Sequence, residues 1–355
     1  MNVEEKIKYL KDKGIPVYSI SRLNTVDNCG WEYWQTYMEH LSPKDNIYGF
    51  TGTRIHKCLE DLQNGKEINF PMEINKILED ASILDINFPS DNIKNKWVKD
   101  IMQFACNYNP PKYNKVETEK KFIINIDNNY LQGIIDLVIY NEDNTISIRD
   151  YKTSSKFSNS EIEEKGRQLI LYGIAMEELG YKIKDIAWEM LKYVEISYPL
   201  KNGNIRKTVA ERGFILDKLK SDITKELKSL KKYTDLEIEM LVEEAVETNS
   251  FDKLPVEIKN KYTIKDYICY YDYTEERKKE TKAYIKAKIN EIEQFQNDIS
   301  WWEPKELTTY NSFYCKNLCS HSNRCEYLQD FIEKEEIYNE EKENQEIENE
   351  LLKFL

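Results

Sequence analysis

The sequence is short of the residues that break helices and make turns: its 355 residues hold only 11 glycines and 9 prolines. That scarcity favours a helix-rich fold with short connections over a turn-rich one. Long apolar runs are missing too. No window approaches the length needed to cross a bilayer, and the first residues, MNVEEKIKYLKDKGIPVYSI, spread their charges and lack the apolar centre of a secretory signal. A cytoplasmic chain with no membrane partner is expected. An excess of positive charge is also lacking, since 51 Lys and Arg against 64 Asp and Glu give a net charge of -13. This speaks against broad affinity for phosphate backbones, which attract clustered Lys and Arg, while leaving room for a local basic groove or a metal-lined cleft. The seven cysteines are odd in number and accompany no secretory signal, so a disulfide framework is a poor reading.

What is present, 32% charged, 40% hydrophobic and 12% aromatic residues, describes a globular chain of one large domain or two smaller ones. From Val17 an extended piece leads to a helix with Ser21 as N-cap, carrying Leu23, Val26, Trp31, Tyr33, Trp34 and Tyr37. GFTGTRIHKCLEDLQNG reads as a second helix closed by Gly65, and residues 71–108 keep helical spacing. From Val116 the period changes to two: KFIINID, LQGIIDLVIY and TISIRDYKT read as successive antiparallel strands. A helix near 160–179, a strand DIAWEMLKYVEI and a hairpin around LKNGNIRK follow. Residues 213–296 read as a charged helical insertion or lid, and the end of the chain as an acidic helix or tail.

In LQGIIDLVIY the one charge is Asp136, set among Ile134, Ile135, Leu137, Val138 and Ile139, where an unpaired carboxylate is costly to bury. In the next strand Asp150 and Lys152 point the same way and Tyr151 the opposite way. With the right loop length Asp136 faces Asp150 across the pair, Lys152 beside them. Two facing carboxylates repel unless a hard divalent cation, Mg²⁺ or Mn²⁺, bridges them. A nearby ammonium can then stabilise charge on a phosphoryl oxygen while the metal activates water, which is phosphodiester hydrolysis in outline. Alone, an Asp-x-Lys triplet is more often a surface hairpin. Two more pairs accompany it: Gly52 and His56 in GTRIH, and Gln168 and Tyr172 in QLILY, each four residues apart and so on one helical face.

The ordered set, Gly52 to His56, Gly133 to Asp136, Asp150 to Lys152 and Gln168 to Tyr172, resembles the RecB-like branch of the PD-(D/E)XK nuclease superfamily. The resemblance implies an α/β, restriction-endonuclease-like core with a central mixed sheet flanked by helices. It implies that His56, Asp136 and Asp150 bind the metal with the carbonyl of Tyr151, that Lys152 is catalytic, and that Gln168 and Tyr172 place the nucleic acid or the lysine. Such nucleases often carry a glutamate near the first strand, which leaves Glu117 and Glu119 both open.

Cys315, Cys319 and Cys325 offer three thiolates within CKNLCSHSNRC, and a tetrahedral cage needs a fourth soft ligand. Cys29 in DNCGWEYW is the natural candidate, whereas Cys58, Cys106 and Cys269 sit singly and read as packing residues. One N-terminal cysteine and a C-terminal trio resemble the iron-sulfur staple of AddB-type nucleases and related CRISPR-associated exonucleases, implying a 4Fe-4S cluster. Three residues separate Cys315 from Cys319 where the family has two. Zinc is therefore the competing occupant, with His321 able to replace one ligand.

These readings divide the chain into a nuclease core over 1–212, a helical insertion over 213–296, a cluster segment over 297–330 and an acidic tail over 331–355. The expected function is a Mg²⁺- or Mn²⁺-dependent deoxyribonuclease, an exonuclease at DNA ends or in single strands during recombination, repair or phage DNA metabolism. The alternative is a catalytically weak or inactive, cluster-stabilised DNA-binding or scaffold subunit of a helicase-nuclease assembly. Since no GxxxxGK[ST] loop is present, a helicase or other recombination partner is expected on a separate chain.

Overall fold

The computed structural model describes residues 1–200 and 202–351. Lys201, in the expected hairpin, and the last four residues of the expected acidic tail lie outside the described residues. The chain divides into two compact units: Met1–Val17 with Ile47–Ala283, and Tyr18–Asn46 with Tyr284–Leu355.

In the first unit, helix α1 (Val3–Asp12) precedes three helices, α2 (Ile47–Gln63), α3 (Phe70–Ile83) and α4 (Asp91–Asn107). As expected, α2 ends at Gly65, whose left-handed φ of 77° lets the chain turn back on the last turn of the helix. Strands β1 (Lys115–Ile126), β2 (Asn129–Tyr140) and β3 (Thr145–Lys152) then follow as an antiparallel meander. Asp127 and Asn128, at φ of 48° and 68°, form the tight β1–β2 turn, a geometry that short Asx side chains tolerate. Helix α5 (Asn159–Glu178) opens on a capping box between Ser158 and Glu161. It carries the chain to β4 (Lys182–Pro199), which pairs parallel to β3, and β5 (Ile205–Glu211) pairs antiparallel to β4. The α/β class with a mixed central sheet flanked by helices is therefore borne out. Leu137, Ile139 and Tyr151 pack with α2, α3 and α4 in one core, while Asp150 and Lys152, one residue to either side of Tyr151, take the other side of the strand.

Residues 213–296 hold helices α6 (Ile215–Leu230), α7 (Asp235–Thr248) and α8 (Glu275–Phe295), but they are not wholly helical as expected. The aromatic-rich stretch inside them is strand β6 (Thr263–Tyr271), hydrogen-bonded along β4. Its Tyr and Ile residues suit a pleated surface, and the interspersed Lys and Asp disguise the alternation. The β4–β6 ladder breaks between Glu189 and Val194, and Arg212 fills the gap. Its guanidinium donates to the carbonyls of Leu191 (3.1 Å) and Tyr193 (3.2 Å) and to the carboxylate of Asp266 (2.7 Å). Carbonyls that the sheet leaves unpaired thus find donors.

In the second unit, Ser19 rather than Ser21 caps the helix Ile20–Asn28, because the Ser19 side chain is the one that accepts the Arg22 N–H. The expected single helix is also broken. Cys29 is extended, and the chain resumes as Gly30–Tyr33 and a π-helical turn, Trp34–Met38. A Cβ at Gly30 would lie 2.9 Å from the carbonyl oxygen of Glu303, so backbone packs on backbone at the break. The acidic run is helical over α9 (Glu326–Leu351). Among the described residues no helix is long and apolar enough to cross a membrane.

Asp100 on α4 is buried and accepts the Gly213 N–H at 2.8 Å, while its second carboxylate oxygen has no partner. Burial pushes its pKa up to about 6, against the pull of that hydrogen bond. A folded-state value above the unfolded one means that stability falls as pH rises from about 4 through about 6, by on the order of 2 kcal/mol. Asp100→Asn keeps an acceptor for Gly213 and cannot ionise. In urea unfolding, its stability relative to the parent chain is expected to increase by about that amount between pH 4.5 and 7.5. A pH-independent difference would show that Asp100 titrates alike in both states.

Candidate active site

The β2–β3 ladder pairs Leu137 with Arg149, and the same register continued by one residue sets Asp136 opposite Asp150. On the other edge of β2 the ladder runs through Thr118–Leu137 and Lys120–Ile135, which places Glu119 opposite Asp136. Three carboxylates thus stand in one row across β1, β2 and β3. Glu119 interrupts its ladder with a left-handed φ of 50°, a conformation that favours glycine.

Each member of the row meets a different environment. Asp136 accepts the Tyr151 N–H at 2.7 Å, and its same oxygen lies 3.5 Å from Nδ1 of His56 on α2. Asp150 is 2% exposed, and Lys152 stands against it with Nζ 2.5 Å from Oδ2. This ion pair is the close partner of the buried Oδ2. Burial raises the Asp150 pKa; Lys152 counters this and the Asp136 carboxylate adds to it. For His56 burial opposes the charged form, but the Asp136 and Asp150 carboxylates outweigh it and raise its pKa. Glu119 is raised by burial and by the Asp136 charge. Lys152 Nζ also donates to Gln168 Oε1 at 3.4 Å, and Gln168 Nε2 donates to the Tyr172 hydroxyl at 2.7 Å. The Tyr172 phenol is held well above its ordinary pKa by burial and then by the Asp150 and Asp136 carboxylates.

All the residues singled out in the sequence therefore converge: His56 from α2, Asp136 from β2, Asp150, Tyr151 and Lys152 from β3, Gln168 and Tyr172 from α5. The family model of the PD-(D/E)XK nuclease superfamily matches residues 17–326. The chain belongs to the PD-(D/E)XK nuclease superfamily. No curated protein matches the chain. Among solved structures, one described as the crystal structure of SSO0001 is 14% identical over 55% of this chain and 67% of that one, at a TM-score of 0.22. That likeness is too slight to carry weight.

Within the superfamily site the two glutamates left open by the sequence separate. Glu117 pairs with Lys120 at 2.5 Å, whereas Glu119 feels the Asp136 and His56 charges. The strand period could have flagged Glu119, since it falls in register with Asp136; its left-handed backbone could not be read from the chain. Among the described residues no group of three or more His, Cys, Asp or Glu side chains already stands in ligating positions. Instead the donors are engaged with one another: Asp136 with Tyr151 and His56, Asp150 with Lys152.

The second unit gathers the four expected cysteines. Cys29 sits at the helix break and its sulfur accepts the Lys305 N–H at 3.3 Å; Cys319 accepts the His321 N–H at 3.5 Å. Burial pushes the Cys315 thiol up to about 11, with Cys29 and Cys325 adding to the rise. Cys319 and Cys325 are raised by burial as well, and each also feels Cys29. All seven cysteines are free thiols. Cys58 packs in the first unit's core as expected, but Cys106 on α4 is exposed.

Glycine at position 119 would relieve left-handed strain of about 1 kcal/mol, partly offset by its greater freedom in the unfolded chain. Glu119→Gly is therefore expected to match or exceed the parent chain in urea unfolding at neutral pH. A loss above about 1 kcal/mol would mean that the carboxylate itself holds β1 in place.

Proposed function

We propose that the chain is a metal-dependent deoxyribonuclease of the RecB/AddB-like branch, an exonuclease acting at DNA ends or in single strands. The observation that carries this reading is the opposed pair Asp136 and Asp150, with Lys152 against one and His56 beside the other. Two carboxylates and the Tyr151 carbonyl are hard oxygen donors suited to Mg²⁺ or Mn²⁺, and the His56 imidazole, a borderline donor, would complete the set. The buried Asp150 carboxylate, which has the Asp136 carboxylate opposite it and only Lys152 in direct ion-pair contact, fits such an occupant. A divalent cation supplies Lewis acidity toward a phosphoryl oxygen and lowers the pKa of bound water.

The chain's own residues do the remaining work. Asp136 and Asp150 supply the negative field that retains the cation, and His56 steadies Asp136 through Nδ1. Lys152 presents a fixed positive charge where charge grows on the phosphoryl oxygen, a placement that matters most in a site sheltered from water. Gln168, itself held by the Tyr172 hydroxyl, receives the lysine and sets its direction. Glu119 extends the acidic row toward β1 and sharpens the demand for a cation.

In the second unit, Cys29, Cys315, Cys319 and Cys325 are the ligands of a 4Fe-4S cluster. Burial raises the pKa values of Cys315, Cys319 and Cys325, thiols that become thiolates readily only with a soft cation to receive them, and the N–H groups of Lys305 and His321 already point at the sulfurs of Cys29 and Cys319.

Digestion of 5′- and 3′-labelled linear and circular DNA by protein purified without oxygen tests the reading. Label release from linear DNA alone, in Mg²⁺ or Mn²⁺, is expected of an exonuclease. Asp150→Ala and Lys152→Ala are each expected to lower the rate by about 10²-fold or more while leaving the fold intact. Full activity in either variant would remove the site assignment, and inactivity of the parent chain with every divalent metal would favour a scaffold. Brown protein whose broad visible absorbance bleaches on reduction is expected of the cluster. Colourless anaerobic protein containing only zinc would replace it with a zinc centre.

A further inference from the structure

Helix α5 has two faces with separate duties. Gln168 and Tyr172 look toward Lys152, and on the opposite side Glu163, Gly166, Gly173 and Glu177 form a stripe at helical spacing. Both glycines are covered by tyrosine rings. A Cβ on Gly166 would meet the ring of Tyr271 at 2.2 Å, and one on Gly173 the ring of Tyr273 at 2.3 Å, so neither position has room for a methyl group.

The rings come from the end of β6 and the residues just after it, and consecutive cations from the first turns of α8 fasten them. Arg277 stacks 3.9 Å from the centroid of the Tyr271 ring and donates to Glu163 at 3.1 Å, and the Tyr271 hydroxyl donates to the same carboxylate at 2.7 Å. Lys278 lies 4.8 Å over the Tyr273 ring and bonds Glu177 at 3.0 Å. Two ring-on-glycine contacts about two turns apart, each closed by a cation and a glutamate, therefore grip α5.

We propose that Tyr273, seated on Gly173, is a positioning residue for Lys152. It fixes how closely α5 approaches the sheet and so keeps Gln168 within reach of the ammonium. The bond from Lys152 to Gln168 is already long at 3.4 Å, so a small shift or rotation of α5 breaks it. Tyr271 on Gly166 is the second anchor. The kinetic side of this inference rests on the nuclease reading of the site; the geometric side does not.

The test compares the parent chain, Gly173→Ala, Tyr273→Ala and the double variant by two readouts. One is kcat and KM on a labelled linear oligonucleotide with Mn²⁺. The other is the rate at which Lys152 is acetylated by an N-hydroxysuccinimide ester, read by peptide mass spectrometry, which needs no activity. Gly173→Ala is expected to lower kcat about tenfold or more with KM nearly unchanged, and to change the acetylation rate of Lys152 about threefold or more. With Tyr273→Ala in place the added methyl has nothing to strike, so Gly173→Ala is expected to have no further effect on either readout. An equal effect in both backgrounds, or unchanged Lys152 acetylation, would overturn the proposal. If the parent chain cuts no DNA, the nuclease reading fails and acetylation alone decides. If Gly173→Ala does not fold, Tyr273→Ala, which removes the ring without a clash, decides: unchanged Lys152 acetylation overturns the proposal.

Discussion

Everything in the first unit answers to one constraint, a carboxylate placed where water hardly reaches. Asp150 sits on a strand bounded by packed layers, and a buried charge without compensation would destabilise the fold by several kcal/mol (on the order of the penalties seen for buried ions). Its neighbours do not all help. Asp136 stands opposite and raises its pKa further, and only Lys152 and His56 pull the other way. A fold selected for stability alone would have put an apolar residue at either position. The chain instead keeps two opposed acids and a third, Glu119, in the same row. That arrangement accords with the divalent cation proposed for the site.

The consequence extends outward from the row through hydrogen bonds. Lys152 is tied to Gln168, Gln168 to Tyr172, and Tyr172 lies against Phe122 with ring centroids 5.9 Å apart. Helix α5 is therefore part of the site although it contributes no acid. What fixes α5 comes from a part of the chain about a hundred residues later, the end of β6 and the beginning of α8. Small residues at 166 and 173 let tyrosine rings touch the helix backbone, so the helix is located by contact with hard surfaces rather than by side chains that can bend. Positional precision of this kind matters for a lysine whose role depends on where its charge lies, and much less for a residue that only fills space.

How much of this the chain discloses depends on the range of the interaction responsible. Asp136, Asp150 and Lys152 were legible because strand alternation is local: a lone acid in LQGIIDLVIY and two charges two apart in the next strand fix their faces before any tertiary contact exists. His56, Gln168 and Tyr172 were legible through helical spacing in the same way. The misreadings share the opposite cause. Strand β6 was hidden because its partner β4 lies some seventy residues away and its alternation is diluted by Lys265 and Asp266. The helix break at Cys29 depends on the backbone of Glu303, and the left-handed turn at Glu119 on its place between neighbouring strands. Ser19 and Ser21 are both good caps by type, and only the direction of the chain at the helix start chooses between them.

The second unit poses the same problem with softer atoms. Cys29, Cys315, Cys319 and Cys325 come from distant parts of the sequence, yet each of the last three feels Cys29, and burial holds all three above the ordinary thiol range. As neutral thiols they are small apolar groups that could be replaced by alanine or valine at little loss. As thiolates they would repel one another, and the backbone N–H groups aimed at two of the sulfurs would be their main relief. N–H donors aimed at sulfur suit a charged sulfur better than a thiol, since a thiol sulfur is a weak acceptor. The unit thus repeats the logic of Asp150: in the proposed reading, sulfurs gathered at an energetic disadvantage would be turned by one added cation, or one cluster, into a stabilising bond set.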